Sequence, residues 1–216
     1  MRATSKLLAV ALTAALQPAV ASTVSVNFED LTSVTKLTDQ YATAGITFTG
    51  DAWGVTSLFN GCSGEVQFFR TGSCGALELA SNAAGGAGTV PSSFTLSFAE
   101  GFVTEFSFVY SARTNSGVMI ELLDRGGSVI DYLDTLTTSG CSLGGVRFCN
   151  WNNGVIQFDG VAYGLRVSGA DQGLVLDDLK FIRQDTGPAP LPEPASFALA
   201  FGALAAAGWA RKRNAR

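Results

Sequence analysis

FTLSF at residues 94–98 and FSFVY at residues 106–110 place a large apolar side chain at every second position. Successive side chains of a β-strand point to opposite faces, so this period predicts strands with one buried face. Similar short runs, rich in valine, isoleucine, phenylalanine and threonine, recur between clusters of glycine, serine, asparagine and aspartate. They lie at residues 24–28, 46–48, 118–123, 128–133, 155–158, 163–167 and 174–182.

The number and spacing of these runs predict the fold class. Roughly nine strands, many of them a turn apart, predict an all-β, antiparallel β-sandwich of the jelly-roll kind. Residues 124–127, DRGG, predict a hairpin turn between two of the strands. About 165 residues bury roughly two-thirds of their unfolded surface, which is enough for one core. The 15 phenylalanines are expected to form that core, with an exposed aromatic platform for sugars as the alternative.

Residues 1–21 have the three parts of a secretory signal peptide, which is expected to be helical. Arg2 and Lys6 supply the positive charge, an apolar run follows at residues 7–16, and small residues end the segment. The run is too short to span a bilayer, since a spanning helix needs about 20 residues. We therefore predict cleavage by signal peptidase between Ala21 and Ser22, with a buried N-terminal helix as the alternative.

The four cysteines become informative once export is predicted. An even number of cysteines in an oxidising compartment favours disulfides, and four allow three pairings. The local pairings, Cys62 with Cys74 and Cys141 with Cys149, each close a loop of about ten residues and contribute roughly 2–3 kcal/mol. A zinc site of four thiolates is the alternative, although neither pair has the usual short ligand spacing.

The composition changes abruptly after the β domain, which is predicted to cover residues 22–185. Residues 186–194 form a proline-rich linker, which prefers an extended backbone. The apolar residues 195–210, as a transmembrane-like helix, reach roughly 24 Å at about 1.5 Å per residue. The basic tail, residues 211–216, would hold that helix in the inner membrane from the cytoplasmic side. A lasting anchor and a processed signal both fit this hydropathy.

The order of tripeptide, apolar helix and basic end resembles the PEP-CTERM sorting signal of Gram-negative bacteria. The residues that carry the resemblance are Pro192, Glu193, Pro194, Arg211, Lys212 and Arg213. The resemblance implies processing by exosortase, a membrane-embedded cysteine transpeptidase, during transient residence in the inner membrane. It also implies a destination at the cell envelope, the outer surface or an extracellular matrix, often in bacteria that make exopolysaccharide.

Two acidic pairs lie in the strands that begin and end the β domain. Glu29 and Asp30 follow the first strand, and Asp177 and Asp178 lie within the last. The first and last strands of a jelly roll are often neighbours, so the four carboxylates are expected to converge. The residues around Asp177 and Asp178 are apolar, and an unpaired carboxylate among them is costly. A calcium ion, which takes carboxylate oxygens as ligands, would remove that cost.

This acidic pattern resembles that of calcium-stapled jelly rolls, such as MAM-like and carbohydrate-binding modules. The resemblance implies one structural Ca²⁺ as the cofactor of the domain. The alternative without a metal is that Asp178 caps a bulge or pairs with Lys180 or Arg183. Thermal unfolding with and without a chelator separates the two hypotheses.

Composition and charge exclude several kinds of function. The chain has no histidine, which removes Ser-His-Asp and Cys-His catalysis and histidine-ligated metal sites. Residues 22–190 contain 8 lysines and arginines against 17 aspartates and glutamates, a net charge of −9. An acidic domain of this kind argues against nucleic acid as a partner. No residue is assigned a catalytic role.

These features favour a non-enzymatic, exported envelope protein associated with exopolysaccharide or a biofilm matrix, with glycan binding as its activity. Trp53 and Trp151 are the candidates for stacking on a sugar ring, and packing under a loop is the alternative for each. Two other functions stay open. One is a polysaccharide hydrolase with two carboxylates roughly 5–10 Å apart, and the other is an adhesive surface protein without glycan contact.

Overall fold

The structure, a computed structural model, describes residues 22–59, 61–64, 66–81, 91–138 and 146–184. All pairings between its strands are antiparallel, which confirms the all-β prediction. The predicted signal peptide, linker, apolar helix and basic tail lie outside the described residues. Within them, no helix has the length and apolar character needed to cross a membrane. The strands are β1 (Thr23–Val26), β2 (Thr35–Lys36), β3 (Ile46–Gly50), β4 (Ala52–Thr56), β5 (Gly75–Leu79), β6 (Pro91–Ala112), β7 (Val118–Leu123), β8 (Val129–Leu136), β9 (Asn152–Ala170) and β10 (Leu174–Arg183), with a 3-10 helix at Ala42–Ala44.

Two long strands, β6 and β9, run through both layers of a β-sandwich. In layer one, β3, the first half of β6, the second half of β9, β7 and β8 lie side by side. In layer two, the first half of β9, the second half of β6, β10, β5, β4 and β2 lie side by side, and β1 pairs with β10. The structure thereby confirms the predicted sandwich.

The predicted strands at 94–98 and 106–110 are two halves of β6 and not separate strands. Gly101 (φ 75°) and Thr104 (φ 66°) lie at the bend between the halves, where the register with β9 shifts twice. Glycine adopts a positive φ readily, and a bulge bends a strand without ending it. β9 likewise joins two further predicted strands. The sequence pattern was broken by the bend, whereas the backbone pairing continues through it.

The main core lies between the layers and is built from the alternating side chains of the strands. Phe94 and Leu96 of layer one and Phe106 and Phe108 of layer two are all buried in this one cluster. Each such side chain stabilises the fold by about 1.5–3 kcal/mol through its burial. Most phenylalanines of the described residues therefore lie in this core, as predicted.

The first and last strands are neighbours, as expected for the acidic pairs to converge. Val26 of β1 pairs with Leu179 of β10. The register of β10 with β6 shifts between Asp177 and Lys180, and Asp178 has a φ of 48°. This bulge breaks the strict alternation of side chains at the point where the two aspartates lie.

A second, smaller core lies on the outer face of layer two, beneath two covering segments. Val55 and Val175 of the strands pack there against Phe68 and Phe148 of the covering segments, which are residues 57–74 and 146–151. Strands β4 and β5 of this layer were not predicted. Every residue of β5 is buried, so neither strand shows the alternation of polar and apolar residues that marks a half-exposed strand.

Candidate functional site

The outer face of layer one is polar and open to solvent. Thr95 of β6, Arg166 of β9, Glu121 of β7 and Tyr132 of β8 are successive register partners and form one row across it. Tyr132 is 59% exposed, and Arg166 Nε donates to Glu121 Oε2 at 2.6 Å. Because side chains alternate between faces, the strands that fill the core with apolar residues also present this row outward.

A groove of about 380 Å³ lies at one end of this open face. Gly164 of β9 lines it, between Ser97 of β6 and Leu123 of β7. A Cβ atom added at Gly164 would lie 3.2 Å from Leu123 Cβ. The shape of the groove therefore depends on the absence of a side chain at position 164.

One wall of the groove is a guanidinium stacked on a phenol ring. Arg125 Cζ lies 4.4 Å from the centroid of the Tyr163 ring, and Arg125 Nη2 donates to the Tyr163 hydroxyl at 3.0 Å. That hydroxyl also donates to Gln184 Oε1 at 3.3 Å. The ring and the guanidinium therefore hold each other in place beside the opening.

The turn that carries Arg125 is the hairpin turn predicted from the sequence. The N–H of Asp124 donates to the Ser128 carbonyl at 2.9 Å. Asp124 Oδ1 accepts hydrogen bonds from the N–H groups of Gly126 and Ser128, both at 2.8 Å. Asp124 thus uses its carboxylate to hold the turn, in the way that aspartate commonly does.

These groups suit the binding of a sugar. The apolar face of a sugar packs on an aromatic ring such as Tyr163, and sugar hydroxyls exchange hydrogen bonds with groups such as Thr95, Ser97 and the Arg125 guanidinium. Among the described residues that line the groove, Asp124 is the one carboxylate, whereas glycoside hydrolysis usually employs a pair.

Three of the four predicted calcium ligands, Glu29, Asp177 and Asp178, form an acidic cluster on the covered side of layer two. Ser73 Oγ lies 2.8 Å from Glu29 Oε1 and 2.9 Å from Asp177 Oδ2, which joins the two acidic pairs. Glu29 Oε2 also accepts from the N–H of Cys74 at 3.0 Å. Asp30, the fourth predicted ligand, instead accepts a hydrogen bond at its Oδ1 from the Tyr41 hydroxyl at 2.6 Å.

A basic side chain that the sequence analysis did not single out completes this cluster. Arg70 forms ion pairs with both Asp177 and Asp178 through separate nitrogens of its guanidinium. Arg183, one of the two partners proposed for Asp178, pairs instead with Glu100 at 3.6 Å. Arg70 precedes the aspartates by more than a hundred residues, so no local sequence pattern indicates the pairing.

The acidic cluster is arranged around this guanidinium. Burial raises the pKa of Asp177 to about 6, although the N–H of Asp178 and the charge of Arg70 both lower it. In the part of the chain that the structure describes, no three histidine, cysteine or acidic side chains are placed to hold a metal ion together. Arg70 already supplies a positive charge to Asp177 and Asp178. The calcium hypothesis stays a prediction that a chelator experiment decides.

The two candidate stacking residues lie in the second core. Trp151 is partly buried, makes an edge contact with Phe68, and donates from Nε1 to the Phe69 carbonyl at 2.8 Å. Arg70 Cζ lies 5.5 Å from the centroid of its ring. Trp53 is also partly buried there, on β4. Sugar stacking on either tryptophan stays a prediction.

The predicted pairing of Cys62 with Cys74 is confirmed, with Cα atoms 5.6 Å apart. The bridge lies in the segment that covers layer two, next to Ser73 and the acidic cluster. Cys149 is also disulfide-bonded, and Cys141 lies outside the described residues. The bridge therefore ties the two ends of a covering segment to each other, close to where Ser73 contacts the sheet.

A second buried acid on the covered face was not predicted. Glu78 of β5 is only 4% exposed, and burial raises its pKa to about 7, while Arg147 lowers that pKa and Asp171 raises it. Arg147 Nη2 lies 4.0 Å from Glu78 Oε1. Within the described part of the chain, Glu78 Oε1 and the neighbouring Trp53 Nε1 have no hydrogen-bond partner. A glutamate inside an apolar strand is the signal that indicates such a site.

Comparison with known proteins gave matches among solved structures alone. No protein-family model matches the chain, and no curated protein matches it. The K2 cleaved adhesin domain of Lys-gingipain is 11% identical, with 74% of this chain and 99% of that chain covered and a TM-score of 0.48. The CBM22-1 xylan-binding domain from Paenibacillus barcinonensis Xyn10C is 15% identical, with 77% and 97% covered and a TM-score of 0.37. The mannan-recognising carbohydrate-binding module TmCBM27 is 15% identical, with 76% and 98% covered and a TM-score of 0.39. What this chain binds is therefore argued from its own residues.

Proposed function

We propose that this chain is an exported, non-enzymatic glycan-binding protein of the cell envelope, and that its glycan lies on the open face of layer one. The observation that carries the proposal is the groove at Gly164, with the Arg125–Tyr163 pair as its wall. A preformed aromatic ring beside exposed hydroxyl groups is the usual composition of a sugar site. The groove lies on paired strands, and a preorganised site loses less entropy on binding.

Two further features support the envelope as the location. The disulfide between Cys62 and Cys74 is of the kind that persists in oxidising compartments outside the cytoplasm. The Pro192-Glu193-Pro194 signal and its basic end indicate sorting by exosortase and association with an exopolysaccharide matrix. Mass analysis of the mature termini in fractionated cells tests this sorting. Detection of an intact Arg216 in the cell-surface form of the protein would contradict this sorting and indicate permanent anchoring.

A glycan array probed with the full chain tests the binding proposal. We expect selective binding without release of shortened products. Tyr163→Ala should weaken that binding at least about tenfold, since aromatic contacts and their buried area contribute more than about 1.4 kcal/mol. The control is Val155→Ala, which truncates an exposed side chain of layer two and should leave binding unchanged.

Two results would overturn the proposal. Binding to no glycan on the array would favour an adhesive or structural surface protein. Turnover of a bound polysaccharide would favour the hydrolase, and Glu78→Gln would then show whether the buried acid takes part.

A further inference from the structure

We propose that the groove at Gly164 selects a sugar that bears a carboxylate, as uronic acids do. This inference rests on the proposed glycan binding and adds the class of sugar. It concerns the positive charge of Arg125, which the groove presents to solvent.

Arg125 differs from most arginines of the domain in having no carboxylate partner among the residues that the structure describes. Four arginines form the ion pairs found among the described residues, namely Arg70, Arg147, Arg166 and Arg183. Arg125 has a phenol as its partner instead. In a domain with so many more acidic than basic residues, an arginine left without a carboxylate leaves a charge for a ligand to neutralise.

The geometry of Arg125 suits a carboxylate ligand. A guanidinium has five N–H donors in a planar fork, and stacking on the Tyr163 ring fixes the plane of that fork. One donor bonds to the Tyr163 hydroxyl, and the others are available to a carboxylate, which binds such a fork in a bidentate manner. Asp124, the neighbouring acid, has its Oδ1 engaged with two backbone N–H groups and does not take this place.

The rest of the lining suits the remainder of the same sugar. Thr95 and Ser97 present hydroxyl groups to the groove, where they exchange hydrogen bonds with sugar hydroxyls. The Tyr163 ring lines the same groove. Charge, hydroxyls and ring therefore lie within one groove of about 380 Å³, which is within the range of small-ligand sites.

The test compares oligouronides with their own methyl esters, which remove the negative charge and keep the sugar. The full chain is titrated with oligomers of galacturonic, glucuronic and mannuronic acid and with each ester. We expect at least one acid to bind about ten to a hundredfold more tightly than its ester, as for a hydrogen bond to a charged group. Arg125→Gln should lower the affinity for the acid to the affinity measured for its ester.

Arg113→Gln is the matched control, because Arg113 is exposed, lies away from the groove and forms no ion pair among the described residues. It should leave the preference for the acid unchanged. Equal affinity for acid and ester, or an acid preference that survives Arg125→Gln, would overturn the inference while glycan binding itself stands. Binding to neither these oligomers nor any neutral glycan would instead overturn the proposed function.

A different observation carries a second inference about the acidic cluster. We infer that Arg70 supplies, from within the chain, the positive charge that a calcium ion supplies in calcium-stapled jelly rolls. Asp177 is fully buried, and a carboxylate in that position needs a cation close to it. Arg70 contacts both Asp177 and Asp178, and Ser73 links Asp177 to Glu29.

Thermal unfolding of the full chain in calcium chloride and in EGTA tests this second inference. The wild-type midpoint should be the same in both solutions. Arg70→Gln should lower the midpoint, because it leaves buried carboxylates without a cation, and calcium should restore part of the loss. Arg70→Lys should keep part of the stability and gain no response to calcium, since the lysine charge still fills the site.

A wild-type midpoint that falls in EGTA would overturn this inference and support the calcium prediction. If calcium does not raise the unfolding midpoint of Arg70→Gln, the inference that the guanidinium takes the role of a metal ion is overturned. If Arg70→Gln does not fold, the wild-type chelator result and the Arg70→Lys variant still decide between the two cations.

Discussion

The polar residues on the two outer faces of this sandwich have opposite environments. On layer one, Arg125 and Tyr132 are exposed, and the half-buried Tyr163 lies beside Arg125 in the groove. On layer two, Asp177 and Glu78 lie beneath covering segments and have arginines from those segments beside them. Covered charges must find partners within the protein, whereas uncovered charges are available to a ligand.

The residues that stand out in the sequence stabilise the fold, whereas less conspicuous ones line the groove. The acidic pairs and both tryptophans are the residues that stand out in the sequence, and the fold places all of them at or near the covered side except Asp30, which bonds to Tyr41. The open face is built from ordinary strand residues and one hairpin turn. A polar group that is bonded within the protein stabilises it, whereas one that is exposed in a groove can recognise a ligand.

Removal of the disulfide should have the largest effect and should affect only the covered face. Cys62→Ser combined with Cys74→Ser releases the covering segment and is expected to lower the free energy of unfolding by about 3 kcal/mol. Urea unfolding measures this loss. Glycan affinity, measured where the variant remains folded, should not change.

The matched control is Ser63→Ala, which changes an exposed residue between the two cysteines and should leave stability unchanged. A loss of glycan affinity in the folded double variant would show that the two faces are coupled, contrary to this comparison.

The pH dependence of stability should report the buried acid of the covered face. Glu78 has its pKa raised from 4.5 to about 7, so the folded protein binds more protons than the unfolded chain between these values. Its free energy of unfolding should therefore fall as the pH rises from about 4.5 to about 7, by on the order of 2–3 kcal/mol. Urea unfolding over this pH range measures the slope, and Asp177, with a pKa of about 6, adds to it.

Glu78→Gln should flatten this slope, because the amide does not titrate. Glu105→Gln changes a half-buried acid of β6 to the same amide and should leave the slope as it is. An unchanged slope in Glu78→Gln would mean that Glu78 ionises in the folded protein as it does in the unfolded chain.

Two glycines compare the faces directly. A Cβ added at Gly75, on the covered side, would lie 1.9 Å from the Phe28 carbonyl oxygen, whereas one at Gly164 would lie 3.2 Å from Leu123 Cβ. Gly75→Ala should therefore cost about 3 kcal/mol and Gly164→Ala about 1 kcal/mol in thermal unfolding. Glycan titration should give the opposite order, with Gly164→Ala weakening binding and Gly75→Ala leaving it unchanged. The same order in both measurements would contradict the assignment of the groove.

Tyr132→Ala should have the smallest effect on stability, within about 0.5 kcal/mol, because its side chain is 59% exposed. Titration with the best oligosaccharide from the array then shows how far the ligand extends. A loss of affinity places sugar along the whole row to Tyr132, and an unchanged affinity confines it to the groove. A large loss of stability would instead mean that this face has a structural role.

Local sequence patterns are sufficient to predict the fold class, the alternating segments of the half-exposed strands and the local disulfide, although not where β6 and β9 begin and end. These features depend on neighbours along the chain: alternation marks Phe94 to Phe98, DRGG marks the turn at residues 124–127, and Cys62 is close to Cys74. Strands β4 and β5 escaped prediction because they are covered on both faces and so lack alternation.

Only the tertiary structure decided which residues are exposed and which charges meet. Arg70 reaches Asp177 across more than a hundred residues, and Arg125 stacks on Tyr163 across thirty-eight. Pairings of this kind depend on strand order and register, which no local pattern encodes. For the same reason the sequence showed acidic clusters and tryptophans as candidates, whereas the fold showed that an inconspicuous face was left open.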